Sequence, residues 1–421
     1  MRIALILSLC LWLCSPAIAQ ENPFRKHVDK LCSDELYGRG YVMKGDSLAA
    51  DYIKSVFQKL ELKPAFKESF YQEFSFEVNT FPKDLSLKLN GFKAVPGEDF
   101  IIDPDSPTMQ GSRKTIQIGP KDIPLLAEGL SKKLGLKELA EKAVVIDTRE
   151  ADNDEYKVLR KLSKELMNFA PVVFINREKL TWAVGRKQTQ YPRFIIAAES
   201  CPKKIKKVKF DLDARFFDNH TAYNVAASID RPFTSKSIVF SAHYDHLGMM
   251  GPAIFPGAND NASGTALVLY LANQIKENNI APNYDVHFVL FAGEEAGLLG
   301  SKHFVENPPF SLDSIDIVLN LDIMGTGDQG ITVVNAEEQQ RTFQALNKIN
   351  REKGYLLKVK PRKQTANSDH YWFSQKGVPA VFIYTMGGLK HYHDIYDRAE
   401  TLPLDHTIYV AQLLMDYIGK L

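Results

Sequence analysis

Cysteine is scarce in this chain. Four among 421 residues, with no C-x-x-C pair, are too few for a disulfide scaffold. A surplus of either charge is missing as well. Lys+Arg 52 stand against Asp+Glu 51, which argues against a nucleic-acid binder with its concentrated basic surface. The apolar run over residues 3–14 falls short of the ~20 residues that a membrane span needs. What is present is an ordinary globular composition: 45% hydrophobic residues are too many for a disordered chain. Single cores stop growing at roughly 250–300 residues, so this length predicts two or three domains, or one large domain carrying an insertion.

The first residues alter these counts. A basic Arg2, the short apolar core and the end Ala17-Ile18-Ala19 describe a cleavable secretory signal over residues 1–19. Neither Cys10 nor Cys14 follows a small residue, which argues against a lipoprotein-type cysteine. Cleavage leaves 51 basic residues, 51 acidic residues and two cysteines, Cys32 and Cys201. The expected product is exported, periplasmic or secreted, with no membrane-spanning segment. Its two cysteines can pair there only if their Cα atoms come close.

Residues 22–76 read as helical and then irregular. Asp46 and Ser47 offer capping oxygens, and Ile53, Val56, Phe57 and Leu60 follow at helical spacing before Pro64. Residues 79–219 change to short alternating runs. There Ala143-Val144-Val145-Ile146 and Pro171-Val172-Val173-Phe174-Ile175 flank a Lys/Glu-rich helical stretch, and a separate small domain is expected. The run Lys203-Lys204-Ile205-Lys206-Lys207 reads as a solvated strand edge guarded by lysines rather than a polyanion site. From residue 223 onward, buried-strand runs over 237–241, 286–291, 315–321 and 380–384 alternate with helical stretches over 261–276, 336–351 and 369–376. That order predicts an α/β fold with a central, largely parallel sheet, whose ligands gather at the carboxyl ends of the strands.

Those ends carry chemistry. The first runs into His243-Tyr244-Asp245-His246, the second into Glu294-Glu295, the third into Asp322 and the last through Gly387-Gly388 to His391-Tyr392-His393-Asp394. Asp260 opens the helix after the first strand. Singly, each has a plainer role: Asp260 or Asp322 as a cap, His243 as a packed histidine, Glu294-Glu295 as a solvated pair. Their conjunction at several strand ends points to one site. Histidine nitrogen with carboxylate oxygen, without thiolate, suits a hydrolytic zinc, cobalt or manganese site. The excess of carboxylates over histidines suggests two ions, because a second cation offsets the repulsion among clustered anions.

At this point the sequence closely resembles the co-catalytic di-zinc aminopeptidase family, which includes the glutamate carboxypeptidases and, as a divergent branch, the glutaminyl cyclases. The resemblance rests on His243-Tyr244-Asp245, Gly257-Ala258-Asn259-Asp260-Asn261-Ala262-Ser263-Gly264, Glu294-Glu295, Asn320-Leu321-Asp322, Ser368-Asp369-His370, and His393 with Asp397 and Thr401, in the family's order. It implies a three-layer αβα peptidase domain with a mixed, largely parallel sheet over residues 20–78 and 220–421. A smaller β-rich insert over 79–219 looks like a protease-associated domain, a type of insert that narrows access to the site or selects substrates. It further implies two divalent metal ions, zinc expected, with peptides as substrates. His243 and Asp322 become ligands of one ion, Glu295 and His393 of the other, and Asp260 the bridge. Glu294 becomes the general base for a metal-bound water, and Asp245 the carboxylate that orients the His243 imidazole.

One departure from the family stands out. Some members place a tyrosine shortly before the Ser-Asp-His segment to stabilise the oxyanion, whereas this chain has Pro361-Arg362-Lys363-Gln364-Thr365-Ala366-Asn367. His370 and Tyr384 are the substitutes considered, and with Asp369 they form the expected substrate-binding set. His246, His303 and His391 read as surface or packing residues, and Tyr371-Trp372-Phe373 as core. The leading expectation is an aminopeptidase. A carboxypeptidase of the same fold would need basic groups such as Arg362, Lys363 or Lys390 for a C-terminal carboxylate. A glutaminyl cyclase normally lacks the histidine found here at 243, and an inactive binding homologue would have lost a ligand or Glu294.

Overall fold

Four strands, Asp285–Phe291, Ser237–His243, Ile315–Leu321 and Ala380–Thr385, lie side by side and parallel at the centre of a nine-stranded sheet. All seven residues of Ser237–His243 are buried, as an apolar run covered on both faces must be. Its side chains alternate between two cores. Ile238 and Phe240 join a cluster that holds Leu271, Leu346 and Leu414 from the helices Ser263–Glu277, Gln340–Lys353 and Thr407–Ile418. Val239 joins Phe304 and Phe373 from Leu299–Glu306 and His370–Gln375 on the opposite face. The result is a three-layer αβα arrangement with a mixed, largely parallel sheet. The structure, a computed structural model, describes residues 22–126, 139 and 141–421; the expected signal over residues 1–19 lies outside them. No helix among the described residues is long and apolar enough to cross a membrane.

The chain leaves this sheet and returns at one point. Strands Tyr71–Thr80 and Arg215–Ile229 are antiparallel, and Thr80 pairs directly with Arg215. Between them, strands from Ser86–Leu89 to Lys207–Leu212 form an eight-stranded sheet. Its strands Met109–Ile118, Ala143–Asp147, Val172–Asn176 and Arg193–Ala197 are parallel, with helix Asn153–Glu165 crossing between the second and third. Asp152 caps that helix by accepting from the Asp154 and Glu155 amides, a bond set that local sequence can encode. One core of this sheet continues into Leu247, Met250, Phe255 and Ile395, so the two sheets share packing.

Two local expectations need correction. Asp46 does not cap its helix: Gly45–Lys59 starts after Lys44 in a left-handed conformation, and Asp46 Oδ2 lies 2.7 Å from His220 Nε2. The Lys207–Leu212 strand is not an edge, since it pairs with both Ser86–Leu89 and Met109–Ile118. Of the lysine run only Lys207 lies in this strand; Lys203, Lys204 and Lys206 are exposed on the segment that leads into it. Cys32 and Cys201 are both free thiols.

Candidate metal centre and active site

Four strand ends and one helix entrance deliver their polar residues to a common point. Backbone turns that few residues adopt help them do so: Gly293 (φ 69°) precedes Glu294, Ile323 (φ 59°) follows Asp322, and His393 itself has φ 53°. Gly257 (φ 58°) opens the loop to Asp260. A Cβ there would stand 2.3 Å from the Asp260 carbonyl oxygen and 2.4 Å from the His246 ring, so no larger residue fits. The Asp397 carboxylate accepts the Asn259 amide at 2.9 Å and the Asp260 amide at 3.0 Å, which pins the loop from below. Arg39, fully buried, donates to the main-chain carbonyls of Leu31, Tyr244, Pro256 and Gly257 at 2.7–2.8 Å and ties the N-terminal segment to the same loops.

Asp260 stands in the middle of the site. Its Oδ1 lies 3.3 Å from His243 Nε2 and its Oδ2 3.1 Å from His393 Nε2. On one side His243 Nε2 is also 3.3 Å from Asp322 Oδ1; on the other His393 Nε2 is 3.3 Å from Glu295 Oε2. Two donors of a tetrahedral zinc, each ~2.0–2.1 Å from the ion, stand about 3.3–3.4 Å apart. The donors present therefore match that spacing in two sets that share Asp260. Electrostatics makes the same demand. Burial opposes charge on both imidazoles, yet Glu294, Asp322 and Asp260 push His243 well above its ordinary range, and Glu295 with Asp260 pushes His393 up to about 11. A cluster that would load protons onto its own histidines requires positive charge, and the residues fit divalent cations.

The surrounding contacts set each donor. Asp322 Oδ2 accepts from Ser368 Oγ at 2.8 Å. That hydroxyl accepts from Asn320 Nδ2, whose Oδ1 accepts from Ser241 Oγ, giving a chain of bonds across neighbouring strands. His243 Nδ1 donates to the Asp245 main-chain oxygen at 3.1 Å, while the Asp245 carboxylate is 3.9 Å away. The role expected for that carboxylate thus passes to its own carbonyl. The carboxylate instead accepts from the Glu294 amide (3.3 Å), the Glu295 amide (3.2 Å) and the Tyr41 hydroxyl, and holds the acidic pair in place. Burial raises Asp245 to about 6 despite nearby His243.

Glu294 and Glu295 differ sharply. Burial, then the charges of Glu295, Asp369 and Asp322, drive Glu294 well above the carboxylate range against the pull of His243. Glu295 is equally desolvated, but His393 and His246 hold it down to about 2. Asp369 is fully buried, and burial lifts it to about 7. His370 is buried against Phe382 and driven down to about 4 by desolvation, so it is neutral. Tyr384 stands apart: its hydroxyl lies 3.4 Å from an Arg362 nitrogen, and no hydrogen bond joins it to the carboxylates among the described residues.

Sequence reasoning missed two residues here. His246 is buried, but beyond the surface or packing role expected its Nδ1 lies 2.7 Å from Glu295 Oε1. Its position three residues after His243, in His-Tyr-Asp-His, was the available signal. Tyr392 stacks on His393 with ring centroids 3.9 Å apart. Burial and the fields of Asp260, Glu295, Asp322 and Glu294 push its phenol far up, so it stays protonated. It is 46% exposed and marks the open side of an otherwise buried site.

Residues 224–418 match Peptidase family M28, and that span contains every donor named above. In this segment the chain is similar to the M28 peptidases. The chain is 29% identical over 227 residues to aminopeptidase YwaD of Bacillus subtilis, an alignment covering 50% of this chain and 47% of that protein. It is 26% identical over 223 residues to a probable leucine aminopeptidase of Arthroderma otae, covering 49% and 59%. The chain thus spans about half the length of the curated relatives it matches. Among solved structures, the zinc aminopeptidase BSAP from Bacillus subtilis superposes with a TM-score of 0.66 at 19% identity, covering 94% of this chain and 93% of that one. A Peptidase M28 precursor from Shewanella amazonensis gives 0.65 at 16% identity, covering 94% and 96%. These two likenesses include the second sheet as well as the M28-like segment, and they concern fold.

Proposed function

We propose that the protein is an exported metallo-aminopeptidase that removes N-terminal residues from peptides with two divalent ions, zinc expected, and Glu294 as general base. The observation that carries this reading is Asp260, whose two oxygens face His243 and His393 separately and so can bridge two sites. Bound there, the ions would polarise the scissile carbonyl and acidify the attacking water. Glu294 is half-buried next to Glu295 and held by its amide, so it can take a proton from that water and return it to the leaving amine. Tyr392, kept protonated beside His393, can donate to the developing oxyanion, the role first considered for His370 and Tyr384. Residues 1–19 serve in this reading as the export signal, and residues 79–219 as an insert of the protease-associated type.

Elemental analysis of the purified protein together with hydrolysis of aminoacyl-aminocoumarins tests the reading. Two metals per chain and turnover of free-amine substrates are expected. Fewer than two metals, or full activity in Glu294→Gln, would sink the mechanism. A panel of free-amine, N-blocked and C-amidated peptides separates aminopeptidase from carboxypeptidase action: the former tolerates amidation and rejects N-blocking. An exported product beginning at Gln20 is the expected outcome of N-terminal sequencing.

A further inference from the structure

The two histidines that flank Asp260 are held in different ways. Each passes its Nδ1 proton to a main-chain carbonyl, which can only accept, so each presents a bare Nε2 to the carboxylates. For His243 that carbonyl belongs to Asp245, two residues along the same loop. For His393 it belongs to Trp182, 3.0 Å away and 211 positions distant in the chain, within the excursion that carries the second sheet. The Trp182 amide also donates to the His393 carbonyl at 3.0 Å, so the two residues bind reciprocally.

Lys179 completes the contact. Its Nζ donates to the carbonyls of Lys390 (2.8 Å) and Tyr392 (3.1 Å) and pairs with Asp394, a carboxylate only 6% exposed. These bonds span the turn on which His393 adopts its left-handed φ of 53°, a conformation an L-residue holds only when its surroundings impose it. Trp182 is a firm anchor: its Nε1 donates to the Ile102 carbonyl at 2.8 Å and its ring lies against Phe255 at 4.7 Å and Phe81 at 6.1 Å.

We propose that Lys179 and Trp182, contributed from outside the M28 segment, are positioning residues for His393, so that the metal on the His393 side is assembled only when the second sheet is docked. The inference rests on the reading of His393 as a metal ligand. It makes the excursion a working part of the site beyond any effect on access: His243 can be ordered without it and His393 cannot.

Withdrawing zinc from the loaded full-length chain with a graded chelator tests this, comparing wild type, Lys179→Met, Lys179→Arg, Asp394→Asn and His393→Ala. Removing such outer contacts typically costs 10–100-fold in metal affinity. Lys179→Met is expected to release one of two zincs about 10–100-fold more readily and leave the other unchanged. Lys179→Arg should recover part of the loss, and Asp394→Asn should weaken the same site less. Lys179→Met leaves the 6%-exposed Asp394 carboxylate without its cation and should lower the zinc-free melting temperature, whereas Lys179→Arg, which keeps the charge, should melt near wild type and so separates positioning from folding. Unaltered release of both zincs in Lys179→Met and Asp394→Asn overturns the positioning role while leaving the metal-site reading intact. Two zincs retained in His393→Ala overturns that reading and this inference with it.

Discussion

At the scale of single residues, two adjacent glutamates with the same side chain have opposite proton affinities because their neighbours differ. Glu295 faces two imidazoles that hold it down, whereas desolvation and then the neighbouring carboxylates raise Glu294 by more than His243 offsets. Glu294→Gln keeps the shape and removes the carboxylate proposed above as the proton shuttle. We expect kcat to fall by roughly 10²–10⁴ with metal content unchanged, measured on an aminoacyl-aminocoumarin. If Tyr392 is the oxyanion donor proposed above, Tyr392→Phe should lower kcat with little change in zinc affinity, because the ring that stacks on His393 is kept. Equal kcat in wild type and Tyr392→Phe would remove it from the oxyanion role. Asp245→Ala is predicted to do more general harm. It leaves the Glu294 and Glu295 amides and the Tyr41 hydroxyl without their acceptor, at a cost of about 1–3 kcal/mol per buried group, readable by denaturant titration.

At the scale of elements, strand ends place the donors, and the strand bodies hold the ends still. An instructive pair lies away from the site, where Arg215–Ile229 meets Asp285–Phe291. Ser228 and His287 are cross-strand partners, with Ser228 Oγ 2.6 Å from His287 Nδ1 and the imidazole stacked on Phe310 at 3.7 Å. Burial lowers His287 from 6.5 to about 4 against the weaker pull of Asp230. As pH falls below 6.5 the unfolded chain takes up this proton and the folded chain does not, so the stability contributed by neutral His287 is lost progressively down to about pH 4. A shift of this size corresponds to an order of magnitude of about 3 kcal/mol. Melting temperature followed between pH 7 and 4 should fall less steeply in His287→Phe than in wild type; parallel curves would exclude the assignment.

The alternation of the strands was legible in the sequence, and so were the helices behind them, because periods of two and of about 3.6 are local properties. The start of the Gly45–Lys59 helix was not. Its Asp46 is drawn to His220, a residue 174 positions away, and a tertiary hydrogen bond outcompeted the local cap. The lysine run was misplaced for a related reason, since whether a strand lies inside or at the edge of a sheet depends on pairings made at long range.

At the scale of the whole molecule, a chain of net charge +1 gathers Asp245, Asp260, Glu294, Glu295, Asp322 and Asp369 into one largely buried region. Anything that binds this region only in the folded state stabilises the fold through linkage. Removing metal with a chelator should therefore lower the melting temperature, and added zinc should restore it in a concentration-dependent way. A melting temperature indifferent to both would mean that the acidic cluster carries no tightly bound cation.

Sequence by itself determined which residue types terminate the strands and in what order, because strand ends and their flanking turns are written in contiguous stretches. His243, Asp260, Glu294, Glu295, Asp322 and His393 could all be named from that order. Only the tertiary structure decided what each one touches: the Asp245 carboxylate on the glutamate amides, His246 on Glu295, Tyr392 over His393, Arg39 beneath the loops, and Trp182 behind the imidazole of His393. The physical reason is the same in each case. A hydrogen bond is made over about 3 Å, whereas those partners lie 49 to 218 positions apart along the chain for all but the adjacent Tyr392–His393 pair, and no local period encodes such a meeting.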